Sequence, residues 1–187
     1  MTTIYFVRHA QPDFNIKCDI TRPLTDKGIK DCIKVLEFFK DKNIDIMFSS
    51  PYKRAIDTIK PFANFIHKDI KIVEGFKERK IDSCWIEDFE QFSKKQWEDF
   101  NYKLTDGESL KEVQDRNIKE LNNLLHNFND KTLLVGTHGT SLSTIINFYD
   151  KSFLYESFKE IKDIMPLIVK FEFFNNKQLK SIKYYKI

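Results

Sequence analysis

Glycine is scarce in this chain, five among 187 residues, so those present mark places where the backbone turns sharply or something approaches it closely. Two of them, Gly136 and Gly139, bracket Thr137 and His138. Cysteine is scarcer. Cys18, Cys32 and Cys84 are odd in number, widely spaced and in no Cys-x-x-Cys arrangement, which argues against a disulfide framework and a zinc site and reads as small apolar side chains in a reducing cytosol. No stretch approaches the ~18 apolar residues of a membrane span. The N-terminus enters a strand without the basic region, apolar run and cleavage site of a secretion signal. A cytoplasmic protein is expected. Neither sign of charge dominates: 31 basic and 28 acidic residues leave +3, spread without a basic block, and give no footprint for nucleic acid or an anionic membrane. Repeats, low-complexity tracts and linkers are also missing, so 187 residues read as one domain over 1–187, with residues 82–105 as a candidate cap.

What is present is an alternation of short apolar runs and amphipathic stretches. Ile4-Tyr5-Phe6-Val7 reads as a buried strand whose end delivers Arg8 and His9 into a Gln11-Pro12-Asp13 turn. Thr25 is the expected N-cap of a helix with Ile29, Cys32, Ile33, Leu36 and Phe39 on its inner face. Residues 44–48 read as a second strand, Pro51 as the first turn of a helix carrying Arg54, Ala55, Thr58, Ile59 and Phe62, and residues 70–73 as a third strand. Between 74 and 107, Glu78-Arg79-Lys80 leads into Trp85, Phe89, Phe92, Trp97, Phe100 and Tyr102. These aromatics fit a helix closing the core and equally a cap over a pocket. A long helix with Leu110, Val113, Ile118, Leu121, Leu124 and Leu125 inward comes next, then a strand at 132–135 ending at His138, then a helix over 140–148. Residues 166–174 and 178–185 read as a hairpin turning at Asn175-Asn176-Lys177.

This alternation implies an α/β protein with a mostly parallel sheet, which gathers its strand-to-helix loops at one edge. Arg8, His9, Arg54, Glu78 and His138 would meet there. Two guanidiniums, two imidazoles and a carboxylate are what phosphoryl transfer without a metal needs. Arg8 and Arg54 surround the equatorial oxygens with forked hydrogen bonds and His138 adds a contact. His9, kept neutral by the neighbouring guanidiniums, attacks phosphorus. Glu78 gives a proton to the leaving oxygen and later takes one from water.

In these residues the chain resembles the histidine phosphatase superfamily, the phosphoglycerate-mutase-like group. The motifs run in the family's order: Arg8-His9-Ala10 with Asn15, Leu24-Thr25-Asp26-Lys27-Gly28, Ser49-Ser50-Pro51 with Arg54, Ala55 and Thr58, Gly107-Glu108-Ser109 with Arg116, and an apolar strand before His138-Gly139. The resemblance implies a three-layer α/β/α sandwich with a C-terminal antiparallel hairpin and a phosphohistidine at His9. It implies a phosphate pocket of Arg8, Arg54 and His138, joined by Asn15, Gln11, Thr137 and Gly139, and needs no metal or other cofactor. Ala10 stands where the family commonly has glycine and Gln11 where many members have glutamate. Glu78 followed by Arg79 matches the Glu-Arg pair of the mutase branch and is preferred as the acid over Glu74 or Glu108. Glu108 and Arg116 read as a salt bridge or cap, His67 and His126 as surface residues, Arg22 and Lys80 as solvated, Arg79 as an aid to an anionic substrate, and Ser50 as a phosphate contact or loop organiser.

The function expected is a phosphatase acting on a small phosphorylated metabolite. An isomerase of the phosphoglycerate mutase kind is the runner-up; it would need a closed, more cationic pocket than an aromatic stretch provides. A protein that holds a phosphorylated ligand without turnover is the third reading, and it has no use for a nucleophile. Neither substrate identity nor oligomeric state is legible in the sequence.

Overall fold

The computed structural model describes residues 1–83 and 86–187. Cys84 and Trp85, named above among the thiols and the aromatics, lie outside the described residues. In chain order the elements are β1 (Thr2–Arg8), α1 (Asp26–Phe39), β2 (Ile46–Ser49), α2 (Lys53–Phe65), β3 (Ile70–Ile72), a 3-10 turn (Glu74–Phe76), α3 (Phe89–Glu98), α4 (Leu110–Asn127), β4 (Thr132–Thr137), α5 (Gly139–Tyr149), α6 (Tyr155–Ile161), β5 (Leu167–Phe173) and β6 (Leu179–Lys186). The strands form one sheet in the order β3-β2-β4-β1-β5-β6. β3, β2, β4 and β1 run parallel, and β5 and β6 close one side as an antiparallel pair. Among the described residues no helix is long and apolar enough to cross a membrane.

Side chains alternate across a strand, so each strand feeds both faces of the sheet. Ile4, Phe6, Leu133 and Val135 enter one apolar cluster with Leu121 and Leu125 of α4, Leu142 and Ile145 of α5, and Phe158 of α6. Tyr5, Val7, Met47 and Leu134 enter the other with Val35 and Phe39 of α1 and Ile59 and Phe62 of α2. The result is helices on both faces of the sheet, as the resemblance implies. The six apolar positions expected on the long helix, Leu110 to Leu125, are all buried. Ser109 starts that helix with a capping box to Glu112, satisfying two backbone donors reciprocally.

Topology sets the site. The chain lays down β1, β2 and β3 in one direction outward, then returns through α4 to insert β4 between β2 and β1. At such a reversal the loops at the carboxyl ends of neighbouring strands diverge and leave a crevice. Arg8 stands directly opposite Thr137 in the register, and Ser49 opposite Gly136. Residues 8–10, 50–54 and 138–141 therefore leave the sheet side by side.

Several details differ from the sequence reading. On α1, Ile29 and Ile33 are more than half exposed, and the buried face is Gly28, Asp31, Cys32, Val35 and Phe39. The cause is Gly28: a Cβ there would stand 2.3 Å from the Gln11 carbonyl oxygen, so the helix rests on that residue and turns Ile29 and Ile33 outward. Thr25 does cap it, accepting from the Gly28 N–H. Pro51 lies just ahead of α2, with Tyr52 as its N-cap. Helix α6 was not foreseen, since seven residues with only Phe158 and Ile161 buried show little periodicity. In the 82–105 stretch, Phe92 and Trp97 are buried, with Trp97 against Phe100, Phe153 and Phe158, so these two aromatics belong to the core.

The two faces give a direct contrast. Leu121→Ala removes a fully buried side chain and should cost about 2–5 kcal/mol of unfolding free energy in a denaturant melt. Ile33→Ala, on the outward face of α1, should stay within about 0.5 kcal/mol of the parent.

Candidate active site

Arg8 ends β1 with its guanidinium buried. Its Nη1 donates to the Ile161 carbonyl at 2.9 Å and the Ile164 carbonyl at 3.3 Å, both at or just past the C-terminal end of α6, where carbonyls lack helical partners. The other side lies against Gly139: a Cβ on that glycine would be 3.1 Å from Arg8 Cζ, Nε and Nη2. Glycine there lets the guanidinium lie at the start of α5.

His9 is fixed by its backbone N–H, which donates to the Thr137 carbonyl at 3.1 Å, and by its ring. Nδ1 is 2.8 Å from the carbonyl oxygen of Ala10. A carbonyl only accepts, so Nδ1 carries the proton and Nε2 keeps the lone pair. The His138 ring meets that of His9 edge-on at 5.2 Å between centroids. His138 Nε2 is 2.7 Å from Ser50 Oγ, which orders the loop after β2. Tyr52 packs edge-on against His138 at 5.1 Å, and Arg54 stacks over Tyr52 with Cζ 5.1 Å from the ring centre.

Arg54 is held from the loop before α1. Its Nη1 donates to the Asp19 carbonyl and lies 3.1 Å from Asp19 Oδ1, which also receives Arg22 Nη1 at 2.8 Å. Glu78 arrives from the irregular stretch after the 3-10 turn. Its carboxylate accepts from the backbone N–H groups of Arg79 at 2.8 Å, Thr140 at 3.0 Å and Ser141 at 3.1 Å. Its oxygens thus pair amides at the N-terminus of α5 that have no partner within the helix.

Burial dominates the electrostatics. It lowers both imidazoles well below their ordinary value; the Arg54 guanidinium is the next cause for each, followed by Arg8 for His9 and by His9 for His138. Burial also lowers Arg8 to about 10, with Glu78 opposing, so the guanidinium stays charged at neutral pH. Arg8 Nε, Arg54 Nε and His138 Nδ1 are buried and make no hydrogen bond within the protein. Buried polar atoms are normally paired. Donors of this kind, clustered around a neutral imidazole with a free Nε2, fit a tetrahedral oxyanion in contact with a nitrogen nucleophile.

Arg8, His9, Arg54, Glu78 and His138, read from four separate stretches of sequence, are thus brought together. Thr137 is buried beside them with its Oγ1 unpartnered, and Gly139 borders Arg8. Gln11 turns instead to Thr25, whose hydroxyl lies 3.2 Å from its Oε1. Asn15 is exposed, its backbone N–H on Asp13 Oδ1, and its side chain meets none of the five. Two arginines are not where the sequence reading put them. Arg22 is not solvated: 6% exposed, it clips the loop by donating to the carbonyls of Ile16 and Lys17. Arg79 is buried toward α3, donating to Gln96 Oε1 and lying over the Phe89 and Phe92 rings, with Cζ 5.5 and 5.1 Å from their centres. Tyr52 and Asp19 were missed. Tyr52 carried a signal in its position two residues before Arg54; Asp19 carried none, since its pairing depends on a loop without periodicity.

Comparison with known proteins gives a consistent context. The family model described as the histidine phosphatase superfamily (branch 1) matches residues 4–159. An uncharacterized phosphatase PhoE of Bacillus subtilis is 28% identical over 152 residues, covering 78% of this chain and 76% of that protein. Phosphoserine phosphatase from Entamoeba histolytica, in complex with 3-phosphoglyceric acid, superposes with a TM-score of 0.75 at 25% identity, over 97% of this chain and 96% of that one. A mycobacterial glucosyl-3-phosphoglycerate phosphatase with inorganic phosphate has a TM-score of 0.74 at 14% identity, over 96% and 95% of the two chains.

The two buried histidines make stability depend on pH. Their folded values lie below the unfolded 6.5, so their neutral forms are compatible with folding above that pH. As pH falls below it the unfolded chain takes up protons that the folded one refuses. Unfolding free energy should therefore drop between pH 6.5 and 5 by up to about 1 kcal/mol per pH unit for each histidine. Denaturant melts of His9→Gln/His138→Gln across the same range should show a flatter profile.

Proposed function

The chain belongs to the histidine phosphatase superfamily, branch 1, and on that premise we propose that it is a metal-independent phosphatase hydrolysing a small phosphorylated metabolite through a phosphohistidine on His9. The observation that carries this reading is the His9 ring: Nδ1 faces the Ala10 carbonyl at 2.8 Å, leaving the Nε2 lone pair for attack, beside guanidinium and imidazole nitrogens with no partner in the protein.

The steps follow from the groups. Arg8, Arg54 and His138 take the phosphoryl oxygens and stabilise the charge they carry in transit. The Nε2 lone pair of His9 forms the N–P bond as the P–O bond to the leaving group breaks, and Glu78, protonated at this stage, gives its proton to the departing oxygen. Glu78, now a carboxylate, takes a proton from water. The water oxygen bonds to phosphorus, the N–P bond breaks, and the electron pair returns to Nε2. The arginines supply the charge neutralisation that metal ions supply in other phosphoryl-transfer sites.

Relatives support a small phosphomonoester: the Entamoeba protein is a phosphoserine phosphatase seen with 3-phosphoglyceric acid. Hydrolysis is favoured over phosphoglycerate mutation because Arg79, the extra cation next to Glu78, is engaged by Gln96 and two phenylalanine rings of α3, which leaves it poorly suited to retaining a bisphosphate. A silent binding protein is disfavoured by a nucleophile whose tautomer is already set for attack.

Purified protein in excess chelator should hydrolyse p-nitrophenyl phosphate at an undiminished rate, and rapid quench with labelled substrate under non-acidic conditions should trap label on His9. His9→Ala should lose at least about 10³-fold in kcat. Activity that vanishes with chelator, or label on any other residue, would overturn the mechanism.

A further inference from the structure

Glu78 lies outside any helix or strand, yet an acid must be held within a few tenths of an ångström to work on one oxygen. Arg116 of α4 reaches its backbone. Nη1 donates to the carbonyls of Gly75 at 2.8 Å and Lys77 at 2.7 Å, and Nη2 to that of Glu78 at 3.3 Å. Nε and Nη2 also donate to the two carboxylate oxygens of Glu108, at 2.8 and 3.0 Å. A guanidinium has five N–H donors, and here all five are spent on protein acceptors. Arg8 and Arg54 each keep an unpartnered Nε instead.

Glu108 completes the brace. Its Oε2 accepts from the Lys80 N–H at 2.9 Å, and its own N–H donates to the Lys80 carbonyl at 2.8 Å. Burial alone would raise this carboxylate, but the Arg116 hydrogen bonds and the Lys80 amide outweigh it and hold it below its ordinary value. Gly107 makes the approach possible, since a Cβ there would be 2.0 Å from the Ile81 carbonyl oxygen. Residues 75–80 are thus gripped on both sides of Glu78.

We infer that Arg116 and Glu108 are positioning residues for the acid–base step, fixing the Glu78 carboxylate by clamping the backbone that carries it while touching no substrate themselves. The inference rests on the reading of Glu78 as the acid. Arg116 also bears on His138 by its charge, so a variant that keeps the charge and loses the fork separates placement from electrostatics.

The test compares kcat/KM for 2,4-dinitrophenyl phosphate, whose leaving group departs without a proton, with that for an alkyl phosphate, whose alkoxide needs one. In Arg116→Lys and Glu108→Gln the alkyl substrate should lose about 10- to 100-fold while the dinitrophenyl substrate loses little. Loss of global structure alone would lower both together. Equal losses, or none, would overturn the inference. Glu78→Gln is measured in parallel. If it discriminates between the substrates and the other two variants do not, only the positioning role falls. If it shows no discrimination, the assignment of Glu78 falls and the inference with it. Should Arg116→Lys fail to fold by circular dichroism, Glu108→Gln, which leaves Arg116 on its three carbonyls, carries the same comparison.

Discussion

The parallel pairing of β1 with β4 is the constraint from which the rest of the site follows. It puts Arg8 opposite Thr137, and with them the two imidazoles, which stand at consecutive positions beyond the two strand ends. Had β4 joined the outer side of β2, His138 would be at least one strand spacing further from His9, about 5 Å, and the edge-on contact between the rings could not form. Apolar burial secures the pairing: Phe6 and Val135 on one face, Val7 and Leu134 on the other, are all fully buried. A one-residue slip would exchange those faces.

Around this pairing the protein solves an electrostatic problem. Buried guanidiniums are costly unless hydrogen-bonded, and each one near the site is held from behind. Arg8 leans on carbonyls at the end of α6, Arg54 on Asp19, Arg79 on Gln96 and aromatic faces, and Arg116 on three carbonyls and Glu108. These backing contacts take up part of the donor capacity and leave Nε of Arg8 and of Arg54 without a partner in the protein. Burial first, and then the Arg54 guanidinium, favours the neutral form of both imidazoles.

Much of this was legible before any coordinates. Strand-length apolar runs and helix-length periodicity identified β1, β4, α2 and α4, because tertiary packing there follows the local pattern. Arg8, His9, Arg54, Glu78 and His138 were readable because each stands at or soon after the end of a strand, and a parallel sheet sends strand ends to one edge. What was not legible depended on contacts between segments distant in sequence. The inner face of α1 is decided by Gly28 resting on Gln11, which no periodicity reveals, and the burial of Arg22 and Arg79 is decided by loop carbonyls and an aromatic helix on the far side of the charge. A surface arginine and a buried one look alike in one dimension.

The contacts of Arg8 with the carbonyls of Ile161 and Ile164 span 153 and 156 residues of chain. A group at the end of β1 is therefore held by backbone at and after the end of α6, beyond the 4–159 stretch that the family pattern covers. During synthesis, β1 emerges early, but its guanidinium has no rear support until α6 and the residues just after it have followed. Contacts of such long sequence separation form slowly, which makes the support behind Arg8 one of the later features to settle as the chain folds.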